Sequence, residues 1–115
     1  MNETLAFDEA YAKLNTAQKE AVDTVYGPVM VVAGPGTGKT QILAVRIANI
    51  LKNVTGTKPD EIVALTYTES AVASMRTRLA GLIGAAAYRV RIHTFHGFAR
   101  LILELRPDLF PRIAT

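Results

Sequence analysis

Residues 33–40, Ala33-Gly34-Pro35-Gly36-Thr37-Gly38-Lys39-Thr40, are of the types and in the order that hold a nucleoside triphosphate. Glycines let the backbone wrap close to phosphate, and successive N–H groups and a helix N-terminus face the anion. Lys39 reaches the β- and γ-phosphates, and the Thr40 hydroxyl is a ligand for Mg²⁺. These two residues are therefore the candidate catalytic pair, with Thr40 the candidate metal ligand. The strict form of the pattern begins with glycine, and here that position is Ala33. A plain surface loop is the competing reading, and the flanking segments argue against it.

Ahead of the loop stands the continuous apolar run Pro28-Val29-Met30-Val31-Val32, the pattern of a strand buried on both faces in a parallel sheet. Behind it, a helix is predicted from about Lys39 to Asn53, with Ile42, Leu43, Ala44, Ile47, Ile50 and Leu51 on a broad apolar face. Earlier, Asn15 or Thr16 can cap a short helix reaching about Thr24, and Gly27-Pro28 breaks the chain before the strand. Ile62–Thr66 is a second apolar strand. The helix after it, about Glu69 to Leu82, sets Val72, Met75, Leu79 and Leu82 inward, which makes Met75 a core residue. Val90 and Ile92 alternate with Arg89, Arg91 and His93 as a third strand with one wetter side. A last helix, about Thr94 to Arg106, aligns Phe95, Phe98, Ile102 and Leu105 before Pro107 stops it. Strand followed by helix, three times over, predicts an α/β layered sheet with ligands at the carboxyl ends of the strands.

The bulk numbers agree with one domain. A chain of 115 residues, 50% hydrophobic and 20% charged, has enough apolar material for a core. No cysteine is present, which excludes disulfides, thiolate metal sites and thiol nucleophiles. The start, Met1-Asn2-Glu3-Thr4-Leu5, has neither a basic end nor a long apolar stretch, so no signal peptide and no membrane span are expected, and the cytoplasm is the default. Charge is uneven: residues 1–30 are mainly acidic, whereas residues 76–112 hold seven arginines against Glu104 and Asp108. Such a basic half suits nucleic-acid phosphates, although a solvated face has the same composition.

Three further stretches carry a resemblance. Leu14-Asn15-Thr16-Ala17-Gln18-Lys19-Glu20-Ala21-Val22 is similar to the Q motif of UvrD/Rep/PcrA-type superfamily 1 DNA helicases. Residues 64–79, Ala64-Leu65-Thr66-Tyr67-Thr68 onward, resemble their motif Ia, and Ile92-His93-Thr94-Phe95-His96-Gly97-Phe98-Ala99 resembles motif Ib. With the phosphate loop these motifs stand in the family's order from Leu14 to about Leu103. The resemblance implies a P-loop NTPase fold of the RecA-like kind, a three-layer sandwich of which residues 1–115 form a partial domain with a mostly parallel sheet. It also implies a 3′→5′ helicase that hydrolyses ATP with Mg²⁺ and moves along single-stranded DNA.

Residue by residue, the resemblance assigns Gln18 to the adenine edge, its amide serving as donor and acceptor. Gln18 closing a capping box with Asn15 is the structural alternative. The nucleotide set is Gln18, residues 33–40 and Gln41, the last standing where relatives often have arginine. Tyr67 is assigned to stacking on a DNA base, and Thr94, Phe95 and His96 to DNA contact. His93 has no such match. Relatives usually carry Asn-Lys where this chain has Glu69-Ser70, which removes a phosphate contact and adds a charge that repels the strand.

No Asp-Glu pair follows an apolar strand, so no carboxylate is in place to activate water, and the segment by itself is expected to be inactive. By the resemblance it is the N-terminal part of an ATP-binding domain, ending before the acidic motif, with the remainder of the helicase as its partner. The phosphate-loop strand and the second strand are then separated by strands that arrive later. Apolar edges would be exposed, and self-association, rearrangement or marginal stability is expected. Two other classes compete: an ATP-binding regulatory module without motor function and the helicase part of a helicase–nuclease. A small-molecule kinase would lack both Gln18's motif and Thr94-Phe95-His96.

Overall fold

The computed structural model describes residues 3–32 and 38–111, with the side chains of Glu3 and Thr4 excepted. Among the described residues, five helices and two strands stand in the order α1 (Glu3–Ala12), α2 (Thr16–Asp23), α3 (Lys39–Asn53), β1 (Val63–Thr66), α4 (Glu69–Ile83), β2 (Arg91–Thr94) and α5 (Phe95–Leu105), with short 3₁₀ turns at Pro59–Glu61, Gly84–Arg89 and Pro107–Leu109. The strands pair in parallel, Val63 opposite Arg91 through Thr66 opposite Thr94, and α4 makes the crossover between them. No described helix is long and apolar enough to cross a membrane.

Local chemistry accounts for where the helices begin. At α2, the Asn15 side chain accepts from the Gln18 N–H at 2.9 Å while the Gln18 amide oxygen accepts from the Asn15 N–H at 2.8 Å, a complete capping box. Thr68 caps α4 by accepting from the Ala71 N–H at 3.1 Å. Gly38 precedes α3 with φ of +78°, a left-handed conformation that costs a side-chain-bearing residue about 1–2 kcal/mol. α1 is held along its side by the rest of the fold. It is fastened by packing, with Phe7 in the core, and by the Tyr11 hydroxyl, which donates to Asp23 Oδ2 at 2.8 Å and is thereby held above the usual phenol pKa.

α4 packs against α1, α3 and both strands, so the core gathers around Leu79, with Val22, Val45 and Val90 also sealed from solvent. Met75 is buried, as its spacing predicts, and so are Val90, just before β2, and Ile92 within it. The inward face of α3 is turned slightly from the expected one. Ile42, Ala44, Val45, Ile47, Ala48 and Asn49 are buried, and Leu43 is 44% exposed.

Two expectations are corrected. The run at 28–32 is not a strand and is not buried: Val29 packs against the core, but Met30 and Val32 are almost fully exposed. Among the described residues the sheet therefore has two strands, not three. A continuous apolar run shows what a segment would bury if given neighbours; among the described residues no strand pairs with this one. α5 likewise aligns its apolar residues but buries none of them completely. It packs on β1 and β2, leaving Phe95, Ile102 and Leu105 substantially exposed.

Candidate functional site

Of the candidate phosphate loop, Ala33, Gly34, Pro35, Gly36 and Thr37 lie outside the described residues. The end of the loop is described: Gly38 caps α3, Lys39 is the exposed first residue of that helix and Thr40 its half-buried second. A cavity of about 240 Å³ adjoins Lys39, walled by Val29, Val31, Ile42 and Leu43 and bearing a second cation, Arg46. It opens where the unpaired 28–32 segment meets α3. The larger cavity, about 320 Å³ between Phe7, Leu51, Pro59 and Leu82, contains none of the candidate residues.

Gln41 is half-buried, and its side-chain oxygen accepts from Arg78 Nη1 at 3.1 Å. A guanidinium thus reaches the first turn of α3 from α4, a contact with no signal in the spacing of the sequence. Arg76, two residues earlier, is committed elsewhere: its Nη1 donates to the carbonyls of Ala87 and Val90 at 2.7 and 3.1 Å. Among the described residues no cluster of acidic and histidine side chains is arranged to hold a metal. Thr40 can supply one hydroxyl ligand. That suits Mg²⁺, which takes much of its shell from phosphates and water.

The other candidate residues meet at the carboxyl end of the sheet. Because Thr66 and Thr94 are opposite one another in a parallel pair, the residues after them emerge side by side. Tyr67 and Phe95 do so, with ring centroids 5.1 Å apart and planes tilted by 41°. Tyr67 is 88% exposed, so it is not packed beneath a helix, and Phe95 is 48% exposed. Each ring leaves a strand-to-helix corner fixed by threonine: Thr68 caps α4, and Thr94 caps α5 by accepting from the Gly97 N–H at 2.9 Å. The result is an aromatic surface on a rigid base, suited to stacking with a planar group.

Thr94 itself is buried, and its hydroxyl is occupied by the cap; His96 is exposed on the first turn of α5. His93 packs its ring 5.7 Å from that of Phe98. Glu69 opens α4, where an acidic side chain suits the helix dipole, a local reason for a charge that would repel a nucleic-acid backbone. Thr94→Val keeps the shape and removes the cap. It is expected to lower unfolding stability by about 0.5–2 kcal/mol in denaturant titration, and an unchanged midpoint would show that the cap is not stabilising.

Two kinds of comparison bear on this arrangement. The family described as the UvrD/REP helicase N-terminal domain matches residues 14–111. Among individual proteins, the ATP-dependent DNA helicase PcrA of Staphylococcus aureus (strain Mu50) is 39% identical over 97 residues, covering 83% of this chain and 13% of that protein. PcrA of Staphylococcus epidermidis (strain ATCC 12228) has the same identity and the same coverage. The chain thus spans about an eighth of the length of these relatives. The match takes in Gln18, Lys39, Tyr67 and the Thr94–His96 corner together. With its strand–helix–strand unit, its helix opening on Gly38-Lys39-Thr40 and its aromatic corner, this chain belongs to the UvrD/REP helicase N-terminal domain family.

Proposed function

We propose that the chain is the ATP-binding and part of the DNA-binding segment of an ATP-dependent 3′→5′ DNA helicase working in the cytoplasm on single-stranded DNA. Its fold is the beginning of a RecA-like P-loop domain, residues 1–115 preceding the acidic motif, with the rest of the motor as the intramolecular partner. The 28–32 run takes its place in the sheet when strands from that remainder pair with it. Without them its exposed valines and Met30 favour self-association.

In this reading residues 33–40 wrap the triphosphate, Lys39 neutralises its outer phosphates, and Thr40 holds Mg²⁺ together with the nucleotide's own oxygens. Gln18 meets the adenine edge with an amide whose oxygen it shares with the Asn15 N–H of the capping box, and Gln41 lies beside the nucleotide. Tyr67 and Phe95 stack on a DNA base, with His96 and the Thr94 corner at the adjacent backbone. The carboxylates that activate water come from elsewhere in the motor, and the isolated segment binds nucleotide without cleaving it.

The observation that carries the reading is the exposed Tyr67–Phe95 pair at the carboxyl ends of β1 and β2, in a chain of this family. Its test on the nucleotide side is Gln18→Ala, with affinities for ATP and GTP measured by competition against a fluorescent analogue. Loss of a donor–acceptor pair is expected to reduce the ATP preference about 10-fold or more. Loss of the cap alone would lower the melting temperature and leave the preference intact, and that outcome would remove Gln18 from base recognition.

A further inference from the structure

The last carbonyls of a helix have no partner within it. At the end of α2, two carbonyls are taken by side chains from a different helix. Arg46 Nη2 donates to the Thr24 carbonyl at 2.9 Å, and Asn49 Nδ2 donates to the Val22 carbonyl at 3.2 Å. The Asn49 oxygen in turn accepts from Asn53 Nδ2. Residues 46, 49 and 53 lie along one face of α3.

This is a costly place for polar groups. Asn49 is 8% exposed, close to Val45 and Ala48, and a buried amide is tolerated only when its ends are bonded. Arg46 Nε is buried without a hydrogen-bond partner among the described residues, so the guanidinium keeps its position despite an unsatisfied N–H. An apolar residue would fill either position if packing were all that was required. What the polar pair adds is direction. α2 has only eight residues, too few to be stable alone. Its first turn is closed by the Asn15–Gln18 box and its last by α3, the helix that begins at Lys39.

We propose that Arg46 and Asn49 are positioning residues for nucleobase selection: by clamping the last carbonyls of α2 onto α3, they set where the Gln18 amide stands relative to Lys39. The inference rests on Gln18 meeting adenine, as proposed for this chain. A hydrogen-bonding reader is sensitive to small displacements, because a misplaced amide fails to pair with adenine while the phosphate contacts through Lys39 persist.

The test uses Arg46→Met, which keeps the apolar stem, Arg46→Lys, which keeps a donor, and Asn49→Leu, which removes the second contact without altering charge. Affinities of the full chain for ATP, GTP and inorganic tripolyphosphate are measured with Mg²⁺ present. Arg46→Met and Asn49→Leu are each expected to lower the ATP:GTP affinity ratio about 3- to 10-fold with tripolyphosphate binding unchanged, and Arg46→Lys to retain most of the ratio. An equal loss for all three ligands would make Arg46 a phosphate-binding cation and overturn the proposal. If Gln18→Ala lowers the ratio and neither Arg46→Met nor Asn49→Leu does, the clamp is structural only. If Gln18→Ala leaves the ratio unchanged, the underlying reading of Gln18 has failed instead. Should Asn49→Leu not fold, the Arg46→Met and Arg46→Lys pair decides the question.

Discussion

Lys39→Ala is expected to weaken binding of a non-hydrolysable ATP analogue by about 2–5 kcal/mol, the usual consequence of truncating one partner of a close charge pair, or roughly 30- to several-thousand-fold. Its position explains the size of the effect. Lys39 is the first residue of α3, directly after the left-handed Gly38, so its side chain starts from the positive end of the helix. The helix terminus alone contributes about 0.3–1 kcal/mol toward a nearby anion and cannot replace the lost cation. Lys39 is exposed and belongs to no core contact, so unfolding stability should move by less than about 0.5 kcal/mol. Titration of the fluorescent analogue with Mg²⁺ supplies the measurement, and wild-type affinity in the variant would refute the phosphate-loop assignment.

Tyr67→Ala carries the second large effect, on single-stranded DNA. Stacking on an aromatic contributes about 1–3 kcal/mol per base, so binding of a short oligothymidine should weaken about 5- to 150-fold. Its salt dependence identifies the cause. Phosphate contacts release counterions and steepen the fall of affinity with salt, whereas stacking does not. Tyr67→Ala should therefore shift fluorescence-anisotropy titrations by a similar factor at low and high salt, and Tyr67→Phe should stay close to wild type. Because Tyr67 is 88% exposed, a purely structural role predicts little change in either stability or binding. An altered salt slope would instead move the contact from ring to backbone.

The elements legible in the sequence are those specified by short-range physics. Asn15 and Gln18, three residues apart, close the α2 box within one helical turn. The spacing of Val72, Met75, Leu79 and Leu82 is that of a single helix face, and the structure buries Met75, Leu79 and Leu82. α3 runs from Lys39 to Asn53 as its periodicity predicts. The differences between pattern and structure concern partners. Leu43 has the hydrophobicity of a core residue, but the rotation of α3 against α2 and α4 leaves it outside. The 28–32 run has a strand's composition and no strand beside it among the described residues. α1 has no apolar spacing that marks it in the sequence, and the fold holds it through Phe7 against the core.

The candidate site divides in the same way. Lys39 and Thr40 are recognisable from order and type because a phosphate loop is a local device, complete within a few residues and the helix after it. Nothing local puts Tyr67 beside Phe95, Arg78 beside Gln41, or Arg46 and Asn49 on the carbonyls of Thr24 and Val22. Those contacts join residues far apart in the chain and depend on the register of β1 with β2 and on how α3 lies against its neighbours. By itself the sequence determined where α2 to α5 run and which residues close the first turn of α2, since each rests on interactions spanning about one turn. Tertiary structure decided which apolar faces are covered and which distant side chains meet, because strand pairing and helix packing depend on partners that no local pattern specifies.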